Sequence, residues 1–160
     1  MKKQFENIEG NKSKEERICS FYASDYHFEM ISLPYIAQEL RNKKQVVILT
    51  ENNLCNTLQK VLSRINVGEE EKKEIFEIDW NQDNQNKLDK IKTETSKNQN
   101  MTVFIKGGKN YVQKMDSYIQ ENIHPTNMKT IHCYPVEEVC ADMPDIVSKY
   151  QGVLSTTKMN

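Results

Sequence analysis

The stretch that decides the fold is residues 17–53, RICSFYASDYHFEMISLPYIAQELRNKKQVVILTENN. It begins and ends with short apolar runs, 18–22 and 46–49, whose composition is typical of buried strands. Between the two runs, apolar residues recur mostly at spacings of three and four, the period of one helical face. These residues are Phe28, Ile31, Tyr35, Ile36 and Leu40. A strand, helix and strand in this order predict two parallel strands joined by a right-handed crossover.

The rest of the chain continues the alternation of strands and helices. Further strands are predicted at 74–80 (EIFEIDW), 101–105 and 128–134, and 69–73 is predicted to be a solvated connection. Helices are predicted at 54–65, within 81–100, and at 111–119, 136–141 and 143–154. We therefore expect a flexible arm, 1–16, followed by a single α/β domain, 17–157. This domain would be a three-layer fold, with a mainly parallel five-stranded sheet flanked by helices.

Composition narrows the classes of protein. The chain has 160 residues with 22 Lys and Arg against 23 Asp and Glu, for a net charge of −1. This balance argues against direct binding to nucleic acid, because no overall basic field exists to attract phosphates. No apolar run reaches the roughly 20 residues that span a bilayer, and the amino terminus lacks the apolar segment of a signal peptide. We expect a cytoplasmic protein that does not contact membranes.

The sequence lacks the residues of a nucleotide site. The turn after the first strand, 23–27, contains neither the glycines nor the lysine that bind phosphate. Asp25 is instead expected to cap the next helix, which puts a carboxylate where a phosphate would lie. Lys106 directly follows the strand at 101–105. At this position a nucleotide-binding protein would have an acidic residue that holds Mg²⁺. The motif Gly107-Gly108-Lys109 is more typical of a plain turn than of a phosphate loop. We predict no ATP hydrolysis and no cofactor.

The chain has four cysteines, and no two of them form a CxxC pair. They are Cys19, Cys55, Cys133 and Cys140. In a reducing compartment the simplest interpretation is buried thiols that behave as small apolar groups. If the sheet has the order found in RecA-like proteins, the strands at 18–22 and 128–134 are neighbours. Cys19, His132 and Cys133 could then approach one another and hold a soft metal or sense oxidation. Two buried cysteines and a hydrogen-bonded histidine are the favoured alternative, so no metal site is predicted.

Polar residues at the carboxyl ends of the strands form the candidate site. In parallel α/β proteins, ligands bind at this edge of the sheet. Tyr22 is expected to stack on a ligand, Asp25 and Glu51 to accept hydrogen bonds, and Lys106 to bind an anion. The complete predicted ligand-binding set is Tyr22, Ser24, Asp25, Glu51, Asn52, Lys106 and His132.

Several short motifs in 17–53 suggest a family. They are Ile18-Cys19, Phe21-Tyr22, Ser24-Asp25, Phe28, Leu33-Pro34-Tyr35-Ile36 and 46–49. On these residues the chain resembles the start of the MEDS domain family, the sensory domain of methanogens and methylotrophs. Arg17 stands where that family commonly has a histidine, so the resemblance carries over no role for that histidine. The resemblance implies a degenerate RecA-like fold, related to circadian-clock ATPases but without a functional phosphate loop, that serves in sensing or regulation.

The sequence favours a non-enzymatic sensory or regulatory signalling module that acts through a small ligand, a protein partner or self-association. One alternative is a small enzyme or nucleotide-binding protein with a non-standard site at the carboxyl edge of the sheet. Another alternative is an interaction subunit that forms homo- or hetero-oligomers through a helix face, such as the apolar stripe at 111–119.

Overall fold

Five parallel strands organise the computed structural model, which describes residues 15–54, 57–97, 99–123 and 127–155. The strands are β1 (Glu16–Tyr22), β2 (Gln45–Thr50), β3 (Met101–Lys106), β4 (Met128–Pro135) and β5 (Gly152–Leu154). They form one sheet in the order β2-β3-β4-β1-β5, and all four pairings are parallel. The sheet confirms the predicted class of fold. Of the predicted arm, 1–14 lie outside the described residues, and Glu16 already begins β1.

Helices cover both faces of this sheet. They are α1 (Asp25–Arg41), α2 (Leu58–Leu62), α3 (Glu69–Glu77), α4 (Asn84–Ser96), α5 (Lys109–Asn122), α6 (Val136–Val139) and α7 (Met143–Val147). A 3₁₀ turn, Cys140–Asp142, joins α6 to α7. Apolar side chains of α1, α2 and α3 pack on one face, and those of α4, α5, α6 and α7 pack on the other. The result is the predicted three-layer arrangement. No helix in the described ranges has the length and apolarity needed to cross a bilayer.

The strand predicted at 74–80 is wrong, because these residues belong largely to α3. The connection predicted at 69–73 is wrong too, since α3 begins at Glu69. The first turn of α3 carries Glu69, Glu70 and Glu71, and acidic side chains stabilise a helix amino terminus. The burial pattern does not alternate either, because Ile75 is buried whereas Phe76 and Glu77 after it are both exposed.

The prediction of a last helix at 143–154 is wrong for the second half of this range. α7 ends at Val147, and Gly152 begins β5, which pairs with the free edge of β1. The Gln151 backbone N–H donates to the Arg17 carbonyl at 2.8 Å, and the Ser20 hydroxyl donates to the Leu154 carbonyl at 2.8 Å. β5 therefore covers hydrogen-bonding groups that β1 would otherwise expose at the edge of the sheet.

The apolar stripe at 111–119 faces the sheet. Val112, Met115 and Ile119 of α5 are buried in the core, and Tyr111 and Tyr118 pack against it. This stripe therefore holds α5 onto the sheet and is not available as the oligomerisation surface suggested above.

The crossovers from β1 and β4 leave on opposite faces of the sheet. β1 continues into α1 on one face, whereas its neighbour β4 continues into α6 and α7 on the other. Neighbouring strands with this arrangement mark the part of the sheet where α/β proteins place ligands, at the carboxyl ends of the strands.

Candidate functional site at the carboxyl edge of the sheet

Lys106 is the centre of the polar cluster at this edge. It ends β3, and its side chain is 2% exposed. Its Nζ lies 2.9 Å from Asp25 Oδ1 and donates to Asn52 Oδ1 at 3.0 Å. The same Nζ lies 4.6 Å from the centre of the Tyr22 ring and 5.5 Å from that of Phe28, within range of cation–π attraction. A carboxylate, an amide and two aromatic rings therefore surround this ammonium group.

Asp25 binds Lys106 and does not cap α1 as the sequence suggested. Ser24 is the N-cap, and its Oγ accepts a hydrogen bond from the His27 backbone N–H at 3.1 Å. Because Asp25 does not cap the helix, both of its carboxylate oxygens contact other strands' ends: Oδ1 lies next to Lys106 Nζ, and Oδ2 accepts from Asn52 Nδ2 at 2.9 Å. The side chains of Asp25, Asn52 and Lys106 thus form a closed triangle of hydrogen bonds.

Two carboxylates occupy the amino end of α5, next to this triangle. Glu51 Oε1 accepts from the Gly108 backbone N–H at 2.9 Å, and Glu138 Oε1 accepts from that of Lys109 at 3.0 Å. Backbone N–H groups at a helix amino terminus are the donors that bind phosphate in other proteins. A Cβ at Gly107 would lie 2.8 Å from Glu51 Oε1, so the turn approaches this carboxylate too closely for a side chain. The protein's own carboxylates fill the positions that an anion would take.

The structure brings together most of the predicted site. Tyr22, Asp25, Asn52 and Lys106 are in contact, with Ser24 and Glu51 at the borders of the cluster. His132 is not part of it, because side chains alternate along a strand. In register, Lys106 pairs with Cys133 and Ile105 pairs with His132, so His132 lies on the opposite face.

The same alternation separates the residues considered for a soft metal. Cys19 and His132 are register partners on one face, and Cys133 packs in the core of the other face. The structure therefore separates the three side chains that were considered as a metal or redox site. Among the described residues, no group of three or more His, Cys, Asp or Glu side chains is placed to hold a metal ion. Cys55 lies outside the described residues.

Glu29 is a buried acidic residue that the sequence analysis missed. It lies one helical turn beyond Asp25 on α1 and is 0% exposed. Its Oε1 accepts from the Thr57 hydroxyl at 2.6 Å, while Oε2 has no hydrogen bond among the described residues. Burial raises the pKa of Glu29, and the bond from Thr57 and the charge of Lys106 oppose this only in part. The i, i+4 spacing from Asp25 was the available signal.

Three cavities lie away from this cluster. One of about 360 Å³ borders the free edge of β2, and one of about 570 Å³ lies at the amino edge of the sheet. A third, of about 180 Å³, lies between α5 and α7. Neither Asp25 nor Lys106 lines any of these three cavities. At the carboxyl edge, the polar side chains of Asp25, Asn52 and Lys106 instead bond to one another.

Comparison with family models, with curated proteins and with solved structures finds no match to this chain.

Proposed function

We propose that this protein is a non-enzymatic sensory or regulatory module, located in the cytoplasm, with a degenerate RecA-like P-loop fold. It acts through a protein partner or a small ligand at the carboxyl edge of the sheet. The observation that carries the proposal is the closed triangle of Asp25, Asn52 and Lys106. To bind a phosphate, Lys106 would have to leave Asp25 and Asn52, and the displaced Asp25 carboxylate would remain near the phosphate and repel it.

Two further features support this proposal. β1 pairs with β4, which is the neighbourhood expected for a RecA-like strand order. The motifs in 17–53 resemble the MEDS sensory domain, for which a fold of this kind without a functional phosphate loop is expected. Together with Glu51 and Glu138 on the α5 amides, these features favour a descendant of a nucleotide-binding fold whose site has been filled.

The exposed rim of the cluster is the proposed contact surface. Asp25 is 45% exposed on its side chain, and Glu51 and Asn52 are exposed. These exposed side chains surround the buried Lys106 ammonium group, which contacts both Asp25 and Asn52. Such a surface fits a partner with hydrogen-bond donors or positive charge.

Nucleotide binding and turnover provide the first test. We expect calorimetric titration with ATP and Mg²⁺ to give no binding heat, and a phosphate-release assay to give no turnover. Turnover that Lys106→Met abolishes would overturn the proposal and favour the enzyme with a non-standard site.

The second test addresses the partner surface. Asn52→Arg places a bulky cation on the rim, and Asn100→Arg makes the same change at the amino edge of the sheet, where Asn100 is exposed. In quantitative affinity capture from native cell extract, we expect Asn52→Arg to lose a partner that the wild type and Asn100→Arg retain. Equal recovery with both variants would contradict the assignment of this surface.

A further inference from the structure

The free edge of β2 contains backbone groups that the sheet does not pair. β2 is the outermost strand on its side of the sheet, so β3 satisfies only the groups that point inward. The Gln45 backbone N–H donates to the Asn100 carbonyl at 3.0 Å, which shows that the odd-numbered residues of β2 face β3. Because these directions alternate along a strand, three even-numbered residues point their N–H and C=O groups away from the sheet. These residues are Val46, Ile48 and Thr50.

Side chains of α4 close two of these three positions. Lys87 Nζ donates to the Ile48 carbonyl at 2.7 Å, and Ile48 is fully buried. The Asn84 amide binds both the N–H and the carbonyl of Thr50, each at 3.3 Å. Val46 has no such partner among the described residues. Its side chain packs in the core, it is 7% exposed, and it lines a groove outside the edge, so an added strand can reach its backbone.

The groove outside β2 has the size of a short extended segment. Its volume is about 360 Å³, about twelve times the ~30 Å³ that one water molecule occupies. The carboxyl-terminal part of α3 forms one wall and α4 forms the other, and Leu40 and Ile78 give the α3 side an apolar floor. A groove along an unpaired strand edge is typical of proteins that bind a peptide as an additional strand.

The charges of the two walls determine which peptide fits. Glu74 and Glu77 on the α3 wall and Lys90 on the α4 wall are exposed, and within the described ranges none of the three forms an ion pair. Val46 packs in the core on the α3 side of the sheet, and opposite residues of neighbouring strands share a face. The peptide residue opposite Val46 therefore points toward the two glutamates, and its neighbours in the peptide point toward Lys90.

We propose that the free edge of β2 binds an extended segment of a partner protein as an antiparallel strand. Its central residue is an arginine, whose backbone N–H donates to the Val46 carbonyl and whose carbonyl accepts from the Val46 N–H. An antiparallel strand makes both bonds through one residue, which suits an edge that is open at a single position. The guanidinium group lies beside Glu74 and Glu77 while its aliphatic stem packs on Ile78, and acidic residues on either side of the arginine face Lys90.

A second copy of this chain does not have the charges of such a partner. Antiparallel pairing of two β2 edges requires a two-fold axis normal to the sheet, which keeps the α3 helices of both copies on the same face. Glu74 and Glu77 of the two copies would then repel one another. The groove is also separate from the proposed contact surface at the carboxyl edge, because neither Asp25 nor Lys106 lines it.

The test follows the Val46 backbone amide by NMR in isotope-labelled protein. The probe is the capped peptide Thr-Glu-Arg-Glu-Thr. We expect this peptide to shift the Val46 amide signal saturably and to slow the exchange of its proton, while the Asn52 signals at the carboxyl edge stay in place. Methylation of the arginine backbone nitrogen removes the donor to the Val46 carbonyl and should weaken binding about tenfold.

Variants on α3 test the charge argument. Glu77→Gln should weaken binding of the peptide about threefold, the effect of one exposed charge. Glu70→Gln changes an exposed residue of α3 that does not line the groove and should leave binding unchanged. The proposal is overturned by the absence of a saturable Val46 shift, by equal binding of the methylated peptide, or by Val46 protection that depends on protein concentration without peptide. None of these results bears on the carboxyl edge, which Asn52→Arg tests separately.

Discussion

The Asp25–Lys106 ion pair should respond very differently to the loss of either partner. Asp25→Asn leaves the Lys106 ammonium, 2% exposed, with the Asn52 amide and two rings but no counter-charge. Breaking a fully buried pair in this way costs ~3–5 kcal/mol. Because the Asp25 side chain is 45% exposed, water already screens the pair, and we expect a loss of about 2 kcal/mol in the free energy of unfolding.

Lys106→Met should cost much less. The methionine side chain occupies a similar volume between the rings of Tyr22 and Phe28, and no buried charge remains. The Asp25 carboxylate that is left behind reaches water and lies in the first turn of α1, where the helix dipole favours a negative charge. We expect a change within ~1 kcal/mol. In the Lys106→Met background, Asp25→Asn should then lose most of its effect, so the coupling energy should be about 1–2 kcal/mol.

Urea unfolding followed by circular dichroism measures all four proteins of this cycle, and equal m-values show that the unfolding transition is comparable. The matched control is the exposed pair of Lys109 and Asp142, at 3.2 Å with side chains 50% and 52% exposed. Its cycle should give a coupling below ~0.5 kcal/mol. Our reasoning is refuted if Lys106→Met destabilises as much as Asp25→Asn, or if the coupling of the buried pair does not exceed that of the control.

Three further predictions concern single features of the fold. Because burial raises the pKa of Glu29 above its ordinary value of 4.5, the folded state holds this proton more tightly than the unfolded chain. The stability of the wild type relative to Glu29→Gln should therefore fall as pH rises from 4.5, and urea unfolding between pH 4.5 and 8 that shows the opposite slope would contradict this. Iodoacetamide should modify exposed Cys140 in the folded protein, but buried Cys19 and Cys133 only after unfolding, as peptide mapping can show. Ser24→Ala removes the N-cap hydrogen bond of α1 and should cost ~1 kcal/mol in thermal or urea unfolding, whereas Ser24→Asp should not.

The β1–α1–β2 unit could be predicted from the sequence because its signals agree. Short apolar runs define both strands, and helical spacing defines α1 between them. A helix that connects two strands of one sheet in this way predicts that the strands are parallel, and all strands of the sheet are parallel in the structure.

The predicted secondary structure is wrong where the sequence signals for strand and helix conflict. Residues 74–80 contain strand-forming residues, but the glutamates upstream favour a helix that buries Ile75 alone among 69–77. β5 is three residues long, and what makes it a strand is the free edge of β1. That edge is a tertiary feature, so no window of sequence around 152–154 could reveal it.

The sequence predicts most of the residues that lie in the candidate site, but it does not predict which of them bond to one another. Tyr22, Asn52 and Lys106 end or follow three strands, and parallel strands end at one edge, so their proximity follows from the fold alone. Which face each side chain takes depends on register. The sequence predicts His132 in this site because it lies near the end of its strand, but side chains alternate along the strand, so His132 and Cys133 lie on opposite faces of the sheet.

The electrostatics of the carboxyl edge explain why we assign it no phosphate ligand. At the carboxyl edge, Lys106 and the α5 amides all have carboxylate partners within the protein, so an incoming phosphate would have to displace Asp25, Glu51 and Glu138 in turn. Each displaced carboxylate would remain attached to the backbone beside the anion and would repel it. Donors that are already bonded within the protein oppose the binding of a further anion. The carboxyl edge is therefore the surface that we assign to a protein partner or to a ligand without a phosphate group.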